Sequence, residues 1–193
     1  MKKPFVFSLF LLLVFSAPAH AHPSGEHGIG LVNGFAHPLS GLDHLCAMLA
    51  VGVWAAQRGG RARWIIPLGF ISVMALGGAL GSAGVVLPMV EQSIAASVLV
   101  LGLLIASAGK MPVPLAGALV GIFALFHGDA HGAAMPASAS GMAYGAGFVA
   151  ATALLHAAGF GIASLVSRTG QMQWTRVAGS AIAACGLYLC LVA

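Results

Sequence analysis

The chain has 193 residues, 60% of them hydrophobic and only 6% charged, with a mean hydropathy of +1.00. Water-soluble domains carry about 25% charged residues, so a soluble fold is excluded and an integral membrane protein is indicated. Eight basic residues against four acidic ones give a formal charge of +4, but apart from RGGRAR the basic residues are scattered through short connections, which excludes a nucleic-acid face and reads as membrane topology.

The N-terminal stretch MKKPFVFSLFLLLVFSAPAHA has two lysines, an apolar run and a small-x-small site at Ala19-His20-Ala21, the pattern of a secretory signal peptide. Cleavage is expected after Ala21, which makes 1–21 the leader and 22–193 the membrane domain. HPSGEHG follows, where His22, Glu26 and His27 either capture metal weakly or form a tail.

Six candidate membrane helices come next, at 30–57, 63–83, 86–107, 112–127, 142–167 and 175–193. The fold class is therefore all-α, a polytopic bundle of six transmembrane helices. The breaks QRGGRAR, GSAG, AGKMPVP, HGDAHGAAMPASAS and SRTGQMQ carry Gly, Pro, Ser or charge, as connections do. The fourth segment is short for a crossing of about 20 residues. With an even number of crossings and an external N-terminus, Arg58, Arg61, Arg63, Lys110, Arg168 and Arg176 all fall inside. This predicts a bacterial inner-membrane protein with both mature termini in the periplasm. Gly77 to Gly81, Gly117 to Gly121 and Gly141 to Gly145 read as close helix contacts. Cys46, Cys185 and Cys190 lie in apolar stretches without a CxxC, which argues against a disulfide framework and a zinc knuckle; Cys46 keeps some interest as a soft ligand.

In the first segment, HPLSGLDH places His37, Asp43 and His44 where ionisable groups are expensive to bury and are usually functional. Pro38 suits the first turn of a helix, so His37 is expected just outside it, at the periplasmic mouth. On one unbroken helix His37 and His44 would stand about 10 Å apart along the axis, too far to share one ion unless the chain bends at Gly41 or Pro38. Neighbours on a helix point about 100° apart, which makes a direct Asp43–His44 bond awkward and leaves Asp43 as a ligand or as the partner of another histidine.

In FHGDAHGAAMP, His127 and His131 are four apart and share a helical face, and Asp129 adds an oxygen if Gly128 and Gly132 bend the backbone. His156, alone in ATALLHAAGFG, is a third ligand, a proton relay or a hydrogen-bonding residue. Met48 and Met135 follow His44 and His131 by four and read as packing. Glu91 reads as interfacial.

HPLSGLDHLCAM followed by FALFHGDAHG, behind a signal peptide and across six spans, resembles the HupE/UreJ family of hydrogenase and urease accessory membrane proteins, regarded as nickel permeases. The resemblance covers essentially the whole mature chain and implies functional roles for His37, Asp43, His44, His127 and His131. Members of that family often carry a glutamate shortly after the second H-G, where this chain has Ala133, Ala134 and Met135. If that acid helps to bind or release the ion, the resemblance implies that Asp129 replaces it or that affinity and metal preference differ.

The expected function is secondary import of a divalent transition metal, Ni²⁺ by resemblance and Co²⁺ as the runner-up, with the ion as transported substrate and no cofactor. His127, His131, Asp129 and His37 would take it at the outer mouth, Asp43 and His44 deeper, and His156 after them. The expected surroundings are the ion and the lipid bilayer, with no nucleic acid and homo-oligomerisation left open. Competing readings are a metal-binding sensor or chaperone that does not transport, and an intramembrane metalloenzyme, for which no HExxH is present.

Overall fold

Among the residues that the computed structural model describes, 26–137 and 139–193, the apolar runs fold as seven α-helices. They are α1 (Glu26–Ser40), α2 (Leu42–Arg58), α3 (Ala62–Ser82), α4 (Val90–Ser107), α5 (Val113–Ala133), α6 (Gly141–Arg168) and α7 (Gln173–Val192). The expected signal peptide and His22 lie outside the described residues.

Five helices, α3 to α7, are each long and apolar enough to cross a bilayer, and α1 with α2 makes a sixth span if the bent pair is counted as one. That first span corrects the expectation of a continuous helix over 30–57. The chain bends by 84° between Gly30–Ser40 and Leu42–Arg58. Gly41 is extended there, at φ −104° and ψ 128°. Asp43 secures the new helix start by accepting the His44 backbone N–H at 2.7 Å, satisfying one of the donors that a helix N-terminus leaves open. Pro38 therefore lies inside α1 and His37 in its last turn, not outside a helix.

The fourth expected segment, ending at 127, instead runs to Ala133, so HGDAHG is helical. Its glycines have a packing reason. A Cβ on Gly128 or Gly132 would run into the backbone of Met74 or Gly78, and one on Gly77 or Gly81 into that of Leu125 or Asp129. Gly77 and Gly81 are thus close contacts, as expected. Gly117 and Gly121 only touch the side chains of Ile65 and Val73 at ordinary distances, and the nearest atom to a Cβ on Gly145 is on Phe148 of the same helix. The close approach of α1 to α6 uses Gly34 and Gly147 instead.

α3 packs chiefly on α5, α4 on α7, and α1 and α2 on α6. α2 occupies the centre, also touching α3, α4 and α7, and its Ala47, Met48, Ala50, Val51 and Trp54 are buried. The outward faces are apolar, with Trp64, Leu68, Leu76, Leu115, Ile122 and Leu154 exposed, as a bundle whose solvent is lipid requires. Arg58, Arg61, Arg63, Lys110, Arg168 and Arg176 all stand at one end of the bundle, where α2, α4 and α6 finish and α3, α5 and α7 begin.

Candidate functional site

The Gly41 bend brings the two ends of HPLSGLDH together. His37 and His44 have ring centroids 6.2 Å apart, where one straight helix would hold them about 10 Å apart. The third and fourth rings come from α5: His131 stands 4.9 Å from His37 and 4.7 Å from His44, and His127 stands 4.8 Å from His44. Four imidazoles from three helices thus form a chain in the order His37, His131, His44, His127. His127 and His131 are fully buried while His37 is partly open, so the pair on α5 is not the outer mouth that the sequence suggested.

Two of these rings are held by oxygen atoms that fix where their protons sit. Asp43 Oδ1 lies 2.9 Å from His44 Nδ1, and a carboxylate can only accept, so Nδ1 carries the proton and Nε2 keeps a free lone pair. The direct Asp43–His44 bond, awkward in a helix interior, forms here because both residues stand in the first turn of α2, where the aspartate folds back over the open N–H groups. On α4, Ser97 donates its hydroxyl proton to the Ile94 carbonyl at 2.6 Å and so accepts from His127 Nε2 at 2.9 Å. His127 Nδ1 is then the free lone pair. Both free nitrogens, His44 Nε2 and His127 Nδ1, are buried without a hydrogen-bond partner among the described residues, and so are both nitrogens of His131. His131 is oriented by stacking, with the Phe148 ring 5.1 Å away at an interplanar angle of 9°.

Buried ring nitrogens without partners are costly in an apolar interior, about 1–3 kcal/mol each. Unpartnered sp² nitrogens beside one another can serve a ligand that accepts lone pairs, whether a hydrogen-bond donor or a borderline divalent metal ion. The contacts are pairwise. Among the described residues, no three His, Cys, Asp or Glu side chains stand as ready-made ligands of one ion.

Asp129 does not join the cluster. α5 continues through Gly128 without a break, and two residues along a helix turn a side chain about 200° from His127. Its Oδ1 is buried and without a partner among the described residues. His156 of α6 is also buried, with both ring nitrogens unpartnered, but Phe70 stands between it and the cluster. The Phe70 ring is 5.6 Å from His127 and 5.2 Å from His156. Met48 is fully buried core, as expected for packing.

Sequence reading missed Ser97, Phe70, Phe148 and Tyr144, all ordinary residues of apolar helices whose partners lie on other helices. Glu91, read as interfacial, is exposed in the first turn of α4, where it lines a cavity of about 200 Å³ with Asp43, Ala95 and Leu189. The one signal in the sequence was that Glu91 is an acid at the start of α4, on the same side of the membrane as Asp43.

Residues 10–189 match the family model described as HupE / UreJ protein. The chain is 48% identical over 190 residues to Protein HupE of Rhizobium leguminosarum bv. viciae, a match that spans 98% of both chains. No solved structure matches it.

Proposed function

Because the chain belongs to the HupE/UreJ family, we propose that it is a permease for a divalent transition metal, Ni²⁺ first and Co²⁺ second, carried inward across the bacterial inner membrane for hydrogenase or urease maturation. The observation that carries this reading is the pair of oriented lone pairs, His44 Nε2 and His127 Nδ1, each freed by an oxygen on the opposite ring nitrogen and each buried without a partner among the described residues. Neutral imidazole suits borderline dications, and a carboxylate behind the ring makes it a better ligand.

Pairwise spacing favours passage over storage. Conduction requires an ion to bind well enough to enter and weakly enough to leave, from one site to the next. The ion meets His37, which is partly open, then the His131–His44 pair, then the His44–His127 pair. Beyond His127, Phe70 must turn aside before His156 can take the ion toward the arginine-rich end. Asp43 and Ser97 hold rings in place, Glu91 adds negative charge beside Asp43, and Asp129 stays off the direct path. A sensor or chaperone would gain from one closed polydentate site, which these pairwise contacts do not provide. The chain has no Walker motif, and membrane potential favours inward movement of a dication by about 4.6 kcal/mol per 100 mV.

The test is uptake of radioactive Ni²⁺ into proteoliposomes carrying the purified protein. Uptake well above that of empty liposomes is expected, falling to the empty-liposome level in His44→Ala. Binding without flux in the wild type would overturn the permease and favour the sensor.

A further inference from the structure

Beside His37, outside the buried cluster, a cavity of about 270 Å³ lies among the C-terminal half of α1, the α5–α6 connection and the start of α6. Its polar lining is Asn33, His37, Ser40 and Tyr144, with no Asp, Glu, Lys or Arg among the described residues. Asn33 and Ser40 are exposed, so the cavity opens outward, whereas Tyr144 is only 2% exposed and its Oη is buried without a hydrogen-bond partner among the described residues.

The dimensions argue against a bare ion. A dication held by imidazole nitrogens at roughly 2.1 Å occupies a small part of such a space. Six waters at about 30 Å³ each give about 180 Å³, so a hexahydrated dication fits with room to turn. The lining chemistry agrees. Waters around a cation point their protons outward, and a site for such a complex must offer acceptors. Ser40 Oγ gives its proton to the His37 carbonyl at 2.7 Å and so faces its other surroundings as an acceptor. Tyr144 Oη, buried at the cavity wall, has lone pairs without a partner among the described residues, and Asn33 has an amide oxygen able to accept. With no carboxylate in the lining among the described residues, only the His37 imidazole competes there with water for the metal.

We infer that this cavity is a vestibule that binds the metal as its intact hydrated complex, through hydrogen bonds from metal-bound waters to Tyr144, Ser40 and Asn33, before His37 replaces the first water. This deepens the proposed permeation and rests on it for the identity of the cargo. His37 is placed for that exchange: it lines the vestibule, its ring is 6.3 Å from the Tyr144 ring, and it stands 4.9 Å from His131, the next imidazole inward.

Hexaamminecobalt(III) tests the idea, because it has the size and outward N–H groups of a hexahydrate but does not exchange its ligands. It should inhibit Ni²⁺ uptake into proteoliposomes competitively. Tyr144→Phe should raise both its inhibition constant and the half-saturating Ni²⁺ concentration about three- to tenfold, the size of one lost hydrogen bond, with the maximal rate kept. Asn33→Leu, at an exposed position, should shift both the same way and guards against a folding defect in the tyrosine variant. Wild-type Ni²⁺ uptake indifferent to excess hexaamminecobalt(III) would overturn the vestibule and leave the permease standing. Equilibrium dialysis of the complex against the detergent-solubilised protein separates the two claims. Binding weakened by Tyr144→Phe, together with no Ni²⁺ flux, would sustain the vestibule and sink the permease; no binding would sink the vestibule whatever the flux.

Discussion

At the scale of single residues, the proposed site is a set of imidazoles whose usefulness as ligands depends on what holds their other nitrogen. Asp43→Asn keeps the shape of the side chain but removes the charge that fixes the His44 proton on Nδ1. Loss of such a supporting carboxylate typically weakens metal binding or activity 10- to 100-fold, and a drop of about that size in initial Ni²⁺ uptake is expected, with unchanged thermal stability in detergent. Ser97→Ala should reduce uptake less, because it frees His127 to change tautomer without removing a charge. Equal rates in both variants and the wild type would remove the oriented lone pairs from the mechanism. His37, Asp43, His44, His127 and His131 were legible in the sequence, because ionisable groups in apolar segments stand out against their surroundings. Ser97 was not legible, since a serine in a membrane helix is unremarkable until a histidine 30 residues away is seen to donate to it.

At the scale of helices, glycine determines what can approach what. Gly128→Leu should destabilise the protein by about 1–3 kcal/mol, because a side chain there has only the backbone of α3 to displace. Gly121→Ala should stay within about 0.5 kcal/mol, since its Cβ meets Val73 at an ordinary 3.7 Å. Thermal denaturation in detergent reads both. Gly41 differs from either. Its φ of −104° is open to any residue, but a Cβ there would crowd Asp43 Oδ1, with His44 Nδ1 3.5 Å away. Gly41→Ala should therefore slow Ni²⁺ uptake while leaving the melting temperature near that of the wild type; a large loss of stability with normal specific uptake would refute that division of labour. The six crossings and their approximate positions came from hydropathy and the breaks between apolar runs, with the first crossing counted as one helix where the structure has two. The bend at Gly41 did not, because a glycine inside an apolar run is equally compatible with a continuous helix and a broken one.

For the molecule as a whole, the asymmetry is between a basic end and a histidine end. Reporter fusions at Gly60, Lys110 and Gly170 are expected to report cytoplasm, and fusions at Gly84 and Ala137 periplasm. Any fusion among the first three reporting periplasm would invert the proposed direction of travel. An electrogenic path for a dication also predicts that an inside-negative potassium diffusion potential, set with valinomycin, speeds Ni²⁺ entry into proteoliposomes. Entry unaffected by that potential would mean that compensating charge moves with the ion.

Composition determined that this chain lives in a bilayer as an all-helical bundle, because so few charges and so long a series of apolar runs leave no other way to satisfy the backbone. Local spacing marked the histidines and aspartates as costly, and the quoted motifs pointed to the family. Only the tertiary structure decided which of those groups meet. Asp43 reaches His44 because a helix begins between them and Gly41, and His37 nears His44 because the chain turns by 84° there. Asp129 is left aside because its helix runs on unbroken. Those outcomes depend on helix breaks and interhelical contacts, which local spacing does not encode.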